Sequence, residues 1–184
     1  MKMTREGSQL LIVDMQDRLL DAMTNKDETL ERCIRLVRAA EILDVPITIS
    51  EQYPKGLGPT EEALRTALGN AGVVMEKLSF SCFGDDAIRA RLRELRRKGR
   101  SQVILAGIET HVCVAQTAID LAENGYRPFI AADAVASRDR RSRKRALSRL
   151  AGDGAEIVDS EMVLFEWLGR AGTPEFKQIQ ALVK

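Results

Sequence analysis

Three residues of kinds that do covalent chemistry stand just after short apolar runs. Asp14 follows Leu10-Leu11-Ile12-Val13, Lys77 follows Gly72-Val73-Val74-Met75 by two positions, and Cys113 comes shortly after Val103-Ile104-Leu105-Ala106. A carboxylate at the end of a buried strand loses solvation and becomes a stronger base than a surface aspartate. A lysine at such an end supplies a fixed positive charge beside an anion, although most lysines are simply solvated. A cysteine at a helix start meets unpaired backbone N–H groups and the positive end of the helix dipole, which favour a thiolate and can hold an oxyanion. Taken singly, each has a plain alternative: a capping aspartate, a solvated lysine, a small apolar cysteine packed in the core. Taken together they are a base, a cation and a nucleophile, which is the set a nucleophilic cysteine requires.

The remaining titratable candidates are few. Cys33 lies beside the apolar stripe Leu30, Ile34, Val37 and Ile42 and reads as core. Cys82 is close in sequence to Lys77 and is a candidate pocket residue with no base assigned to it. His111, the single histidine, could form a hydrogen-bonding wall beside Cys113, though a boundary residue is the more common fate of a lone histidine. One histidine leaves no site with two histidine ligands, and no dense Asp/Asn loop suggests a carboxylate site for Mg²⁺ or Ca²⁺. No metal or cofactor is expected.

The elements that must position these residues alternate between strand and helix. Strands are expected at 10–13, 47–49, 72–75, 103–106, 129–132 and 155–158, each a short apolar run. Helices are expected from Asn25 or Asp27 to Ile42, from Thr60 with Glu61 and Glu62 at its positive end, over 85–98 ended by Gly99, over 110–124 ended by Gly125, over 140–150, and in two short segments at 162–168 and 174–182. Residues 53–59, rich in Gly and Pro, are expected to be loop. Such alternation implies an α/β fold with a mainly parallel sheet and right-handed crossovers. Sites in these sheets lie beyond the carboxyl ends of the strands, so the positions after Val13, Ile49, Met75 and Ala106 are the places to inspect.

Bulk properties narrow the function classes. The 184 residues, 45% apolar and 30% charged, suit one domain over 1–184 with a sizeable core. A formal net charge of +1 gives no global pull toward nucleic acid or an anionic membrane. No run is long and apolar enough to span a bilayer, and residues 1–7 lack the apolar centre of a signal peptide. Three cysteines, an odd number, argue for reduced thiols and a cytoplasmic location.

The segments Leu11-Ile12-Val13-Asp14-Met15-Gln16, Glu76-Lys77 and Gly107-Ile108-Glu109-Thr110-His111-Val112-Cys113-Val114 resemble, in order, the signatures of the isochorismatase-like cysteine hydrolases. The likeness continues through Asp133-Ala134-Val135-Ala136-Ser137-Arg138. Ser50-Glu51-Gln52-Tyr53-Pro54-Lys55-Gly56-Leu57-Gly58 and Phe80-Ser81-Cys82-Phe83 are similar to the branch called isochorismatase domain-containing proteins. The resemblance implies a three-layer αβα fold around a six-stranded, mainly parallel sheet, assembly as a homo-oligomer, and a small-molecule substrate. It implies a triad of Asp14, Lys77 and Cys113, a cis peptide between Ile108 and Glu109, and an oxyanion hole from the N–H groups of Glu109 and Cys113. Gln52, Tyr53, Phe80, Cys82, Ile108 and His111 become candidate pocket positions. Nicotinamidases of this superfamily carry metal-binding histidines after the second strand, where this chain has Glu51-Gln52-Tyr53-Pro54; metal-assisted nicotinamide hydrolysis is disfavoured. Cys113 likewise argues against the vinyl-ether cleavage of true isochorismatases.

The resulting expectation is hydrolysis of a C–N bond in a small amide-like substrate through a thioester. Its rivals are a non-catalytic or redox-responsive thiol protein on the same fold, and anion or nucleic-acid binding through the basic runs 89–100 and 138–149. Both runs fall on amphipathic helices whose charged faces can be solvated, and 4% aromatics offers little base stacking.

Overall fold

The structure is a computed structural model that describes residues 1–183. The chain runs β1 (Ser8–Val13), α1 (Asp17–Leu20), α2 (Lys26–Ile42), β2 (Ile47–Gln52), α3 (Pro54–Leu57), α4 (Glu62–Leu68), β3 (Gly72–Lys77), α5 (Asp86–Arg97), β4 (Gln102–Ile108), α6 (Ala115–Glu123), β5 (Arg127–Ala136), α7 (Arg140–Gly152), β6 (Glu156–Val158), α8 (Ser160–Leu168) and α9 (Pro174–Leu182). A 3₁₀ turn, Cys82–Gly84, precedes α5, and a π-helical turn, Thr110–Val114, leads into α6.

The six strands form one sheet in the order β3-β2-β1-β4-β5-β6. Every strand pair is parallel, so "mainly parallel" becomes wholly parallel within the sheet. An isolated antiparallel bridge, Gln16 to Thr60, lies outside it. All six residues of β1 are buried because both faces of the sheet are covered. Successive side chains point to opposite faces, so Leu10 and Ile12 enter one core with Ile47, Ile49, Ile104 and Ala106 against α2, α8 and α9. Leu11 and Val13 enter the other with Val103, Leu105, Ile88, Leu92 and Leu121 from the α5–α6 side. This is why the β1 run reads as continuous rather than alternating.

The strand order reverses between β1 and β4. At that point the connections leave toward opposite faces and open a crevice beyond the carboxyl ends. Gly107 makes the approach of these two central strands possible. Its φ is +108°, and an added Cβ would lie 2.1 Å from the Val13 carbonyl oxygen.

Several local expectations shift. The segment 53–59 contains the one-turn helix α3, begun by Pro54 at its first position. The cap of α4 is Glu61, whose carboxylate accepts from Leu64 N–H; Thr60 instead spends its N–H and hydroxyl on Glu51 Oε1, both at 2.7 Å. Among the described residues, no helix is long and apolar enough to cross a membrane.

Candidate active site

Register places the three candidate residues together. Val13 pairs with Ser50 of β2 and Gly107 of β4, and Gln52 pairs with Lys77 of β3. Asp14 and the turn holding Cys113 therefore leave adjacent strands at the same end, and Lys77 closes β3 two strands away. A lysine side chain is long enough to cross that gap.

Asp14 is fully buried and sits in the left-handed region at φ +50°, a conformation that Asp tolerates better than most residues. Its N–H donates to the Ser50 carbonyl at 3.1 Å. Its Oδ1 accepts from Ser50 Oγ at 2.7 Å and its Oδ2 from Lys77 Nζ at 2.7 Å. Burial raises the Asp14 pKa, with the charge of Lys77 and the Lys77, Ser50 and Cys113 contacts pulling the other way.

Lys77 is 2% exposed, so the solvated alternative fails. Its ammonium also donates to Gln52 Oε1 at 2.6 Å and to the Ser79 and Phe80 carbonyls at 3.2 and 3.1 Å. Burial works against this charge, but the Asp14 carboxylate, by its charge and its hydrogen bond, raises its pKa. An ammonium has donors and no acceptors, and here every direction open to it ends on oxygen.

Cys113 lies within the π-helical turn beside Asp14, 7% exposed. Burial pushes its thiol pKa up, the Asp14 charge adds to this, and Lys77 only partly opposes it. Desolvation and a neighbouring carboxylate thus work against the thiolate that the helix start favours. The π turn has a second consequence. Glu109 O accepts from Val112 N–H at 3.1 Å and from Val114 N–H at 3.2 Å, passing over the Cys113 N–H that lies between them. The Ile108–Glu109 peptide is cis.

The pocket candidates separate into distinct roles. Tyr53 and Phe80 are 51% and 56% exposed and stand at the rim; Phe80 contributes to the site through its carbonyl. The Gln52 side chain bridges Lys77 Nζ and the Leu78 carbonyl, so it braces the lysine. His111 is half-buried, with Nδ1 3.0 Å from Ser137 Oγ. Glu109 Oε2 accepts from Arg138 N–H at 3.0 Å. Two candidates do not line an open pocket. Ile108 is fully buried in the α2-side core because it is still a β4 residue. Cys82 is fully buried behind the carboxylate, its Sγ 3.4 Å from Ser50 Oγ and its N–H 2.9 Å from Thr117 Oγ1; burial lifts its pKa to about 11. Cys33, as expected, is core.

Ser50 and Gln16 join the site from outside the candidate set. Gln16 exchanges hydrogen bonds with the Gln52 backbone, at 2.7 and 3.0 Å, and so ties the end of β1 to the end of β2. The available signal was positional: both are polar residues flanking the carboxyl end of a buried strand. A cleft of about 620 Å³, lined by Tyr53, Pro54, Glu76, Leu78 and Asp85, reaches Lys77 but not Asp14 or Cys113. Among the described residues, no group of three or more His, Cys, Asp or Glu is arranged to hold a metal ion.

Comparison with known proteins agrees with the fold. The chain is 40% identical over 171 residues to isochorismatase domain-containing protein 1 of Danio rerio, covering 93% of this chain and 59% of that protein. It thus spans less than two thirds of that relative's length. A solved structure described as MAR1 ribonuclease from Caenorhabditis elegans superposes with a TM-score of 0.92 at 33% identity, covering 100% of this chain and 92% of that one. The ycaC gene product of Escherichia coli, described as an octameric hydrolase of unknown specificity, shares the fold at TM-score 0.85 and 21% identity over 99% of this chain and 87% of that one. The Isochorismatase domain profile matches residues 8–162, and the chain belongs to that family.

Proposed function

We propose that this chain is a cysteine-dependent hydrolase that cleaves a C–N bond of a small amide-like substrate through a thioester on Cys113. The observation that carries this reading is the buried Lys77–Asp14 pair at 2.7 Å with Cys113 beside its carboxylate. A thiol held in its neutral form needs a base at the moment of attack. Burial makes Asp14 a better base than an ordinary aspartate, which narrows the gap that proton transfer must cross. Lys77 remains charged throughout and keeps the pair from being left as an isolated buried anion.

In acylation the Cys113 sulfur bonds to the substrate carbonyl carbon as its proton passes to Asp14. The N–H groups of Glu109 and Cys113 would hold the resulting oxyanion. The C–N bond then breaks as Asp14 returns the proton to the departing nitrogen. In deacylation Asp14 takes a proton from water, hydroxide adds to the thioester carbonyl, and the C–S bond breaks as the proton returns to sulfur.

The test is amine or ammonia release from a panel of small amides, with intact-mass detection of an acyl adduct. Cys113→Ala should lower turnover by about 10³-fold or more and abolish the adduct. Turnover retained in a folded Cys113→Ala protein would defeat the mechanism.

The likeness to a structure described as a ribonuclease favours a second reading, hydrolysis of an RNA phosphodiester. Against it, several arginines of the basic helices are engaged within the chain: Arg91 on Thr48 and Ile47, Arg96 on Asn124, and Arg143 on Val135 and Ala132. RNA cleavage that co-purifies with the wild type and vanishes in Cys113→Ala would move the assignment to this reading; intact RNA at full amide turnover would remove it.

A further inference from the structure

We infer that Ser50, through a hydroxyl locked in one direction, is a positioning residue that orients the Asp14 carboxylate toward Cys113. This rests on the proposed hydrolase reading and extends it to a residue outside the triad. A serine hydroxyl has one hydrogen to donate and two lone pairs with which to accept. Both accepting positions are taken, one by the Asp14 N–H at 3.3 Å and one by Cys82 Sγ at 3.4 Å. The hydrogen therefore has one use left, and it goes to Asp14 Oδ1 at 2.7 Å.

The arrangement clamps Asp14 at both ends. The Ser50 carbonyl and hydroxyl hold its N–H, and the same hydroxyl holds its carboxylate. Lys77 holds the other carboxylate oxygen, so the plane of the carboxylate is fixed by two donors from two different strands. Ser50 and Cys82 are fully buried, which removes water as a competitor for either bond. The clamp also explains Cys82, a buried thiol that takes no part in the reaction. Raised to about 11, it stays protonated and keeps donating wherever the enzyme would work. An O–H donated to a carboxylate favours the ionised form, so Ser50 both aims the base and keeps it available.

The experiment is the alkylation rate of Cys113 by iodoacetamide against pH, read by peptide mass spectrometry, with thermal unfolding measured in parallel. The variants are Ser50→Ala, Ser50→Thr and Asp14→Asn. In Ser50→Ala the acid limb of the Cys113 profile should move up by about one pH unit and the plateau should fall about tenfold. Ser50→Thr keeps the hydroxyl and should keep the wild-type limb. A limb unmoved in Ser50→Ala, whatever happens to its melting temperature, overturns the inference and leaves Ser50 as packing. A limb moved equally in both Ser50 variants also overturns it. If Ser50→Ala does not fold, Ser50→Cys, a weaker donor of similar size, should move the limb in the same direction by less, and no movement is again fatal. Asp14→Asn separates the two levels. If it leaves the Cys113 profile unchanged, the triad reading itself is wrong; if it alters the profile while Ser50→Ala does not, only the role given to Ser50 fails.

Discussion

Lys77 shows how much one side chain can hold. Its ammonium is spread over a carboxylate, an amide oxygen and two backbone carbonyls, and it is the sole cation hydrogen-bonded to Asp14 among the described residues. Removing it leaves a buried carboxylate without compensation, a change that costs about 3–5 kcal/mol in comparable pairs. Lys77→Met should therefore lower the unfolding free energy by about that much, read from urea melts with an unchanged m-value. A loss under about 1 kcal/mol would mean that Asp14 is easily neutralised without its partner. The residue types of the site were legible in the sequence because polar groups directly after apolar runs are conspicuous. Ser50, directly after Ile49, was visible by position but not by role, since a small polar residue there has the same look whether it packs or clamps. Nor was the resting state of Cys113, because a thiol pKa depends on what surrounds the sulfur and the sequence names only what precedes it.

At the scale of elements, β1 and β4 have to converge, and Gly107 is where their convergence is tightest. An added Cβ would lie within 2.8 Å of three Val13 backbone atoms, at a φ of +108° that side chains rarely adopt. Neither partner can move without disturbing the centre of the sheet. Gly107→Ala should destabilise the fold by about 3 kcal/mol or more, and a melting temperature within about 2 °C of wild type would show that the strands can part. The strands and long helices were readable from apolar runs and from Gly99 and Gly125 at helix ends. The short pieces were not: α1, α3 and the π turn at Thr110–Val114 span a few residues each and carry no periodicity. Thr60 is the better cap by type, and only the position of Glu51 beside it, which takes its N–H and hydroxyl, leaves the cap to Glu61.

The whole molecule carries its thiols as buried acids, and this sets its response to alkali. An unfolded cysteine titrates near 9.0, whereas folded Cys82 titrates at about 11. Cys33 and Cys113 are pushed up in the same direction by burial first. With a folded pKa above the unfolded one, the contribution to stability is complete below the unfolded value and is lost as pH rises through the folded value. The urea midpoint should therefore fall steadily from about pH 9 to about pH 11, and Cys82→Ala should flatten that slope even if its stability near neutrality is lower. A midpoint independent of pH over that window would mean that the thiols are reached by water. The sequence by itself determined the layers: apolar runs of strand length alternating with amphipathic stretches leave a parallel sheet covered on both faces as the way to bury them. It also determined which residue types would stand at the strand ends. Tertiary structure alone decided the strand order, and with it that β1, β2, β3 and β4 deliver Asp14, Ser50, Lys77 and Cys113 to one end of the sheet. It also decided protonation, since the cost of a charge is set by the solvent and partners removed or supplied when distant segments meet.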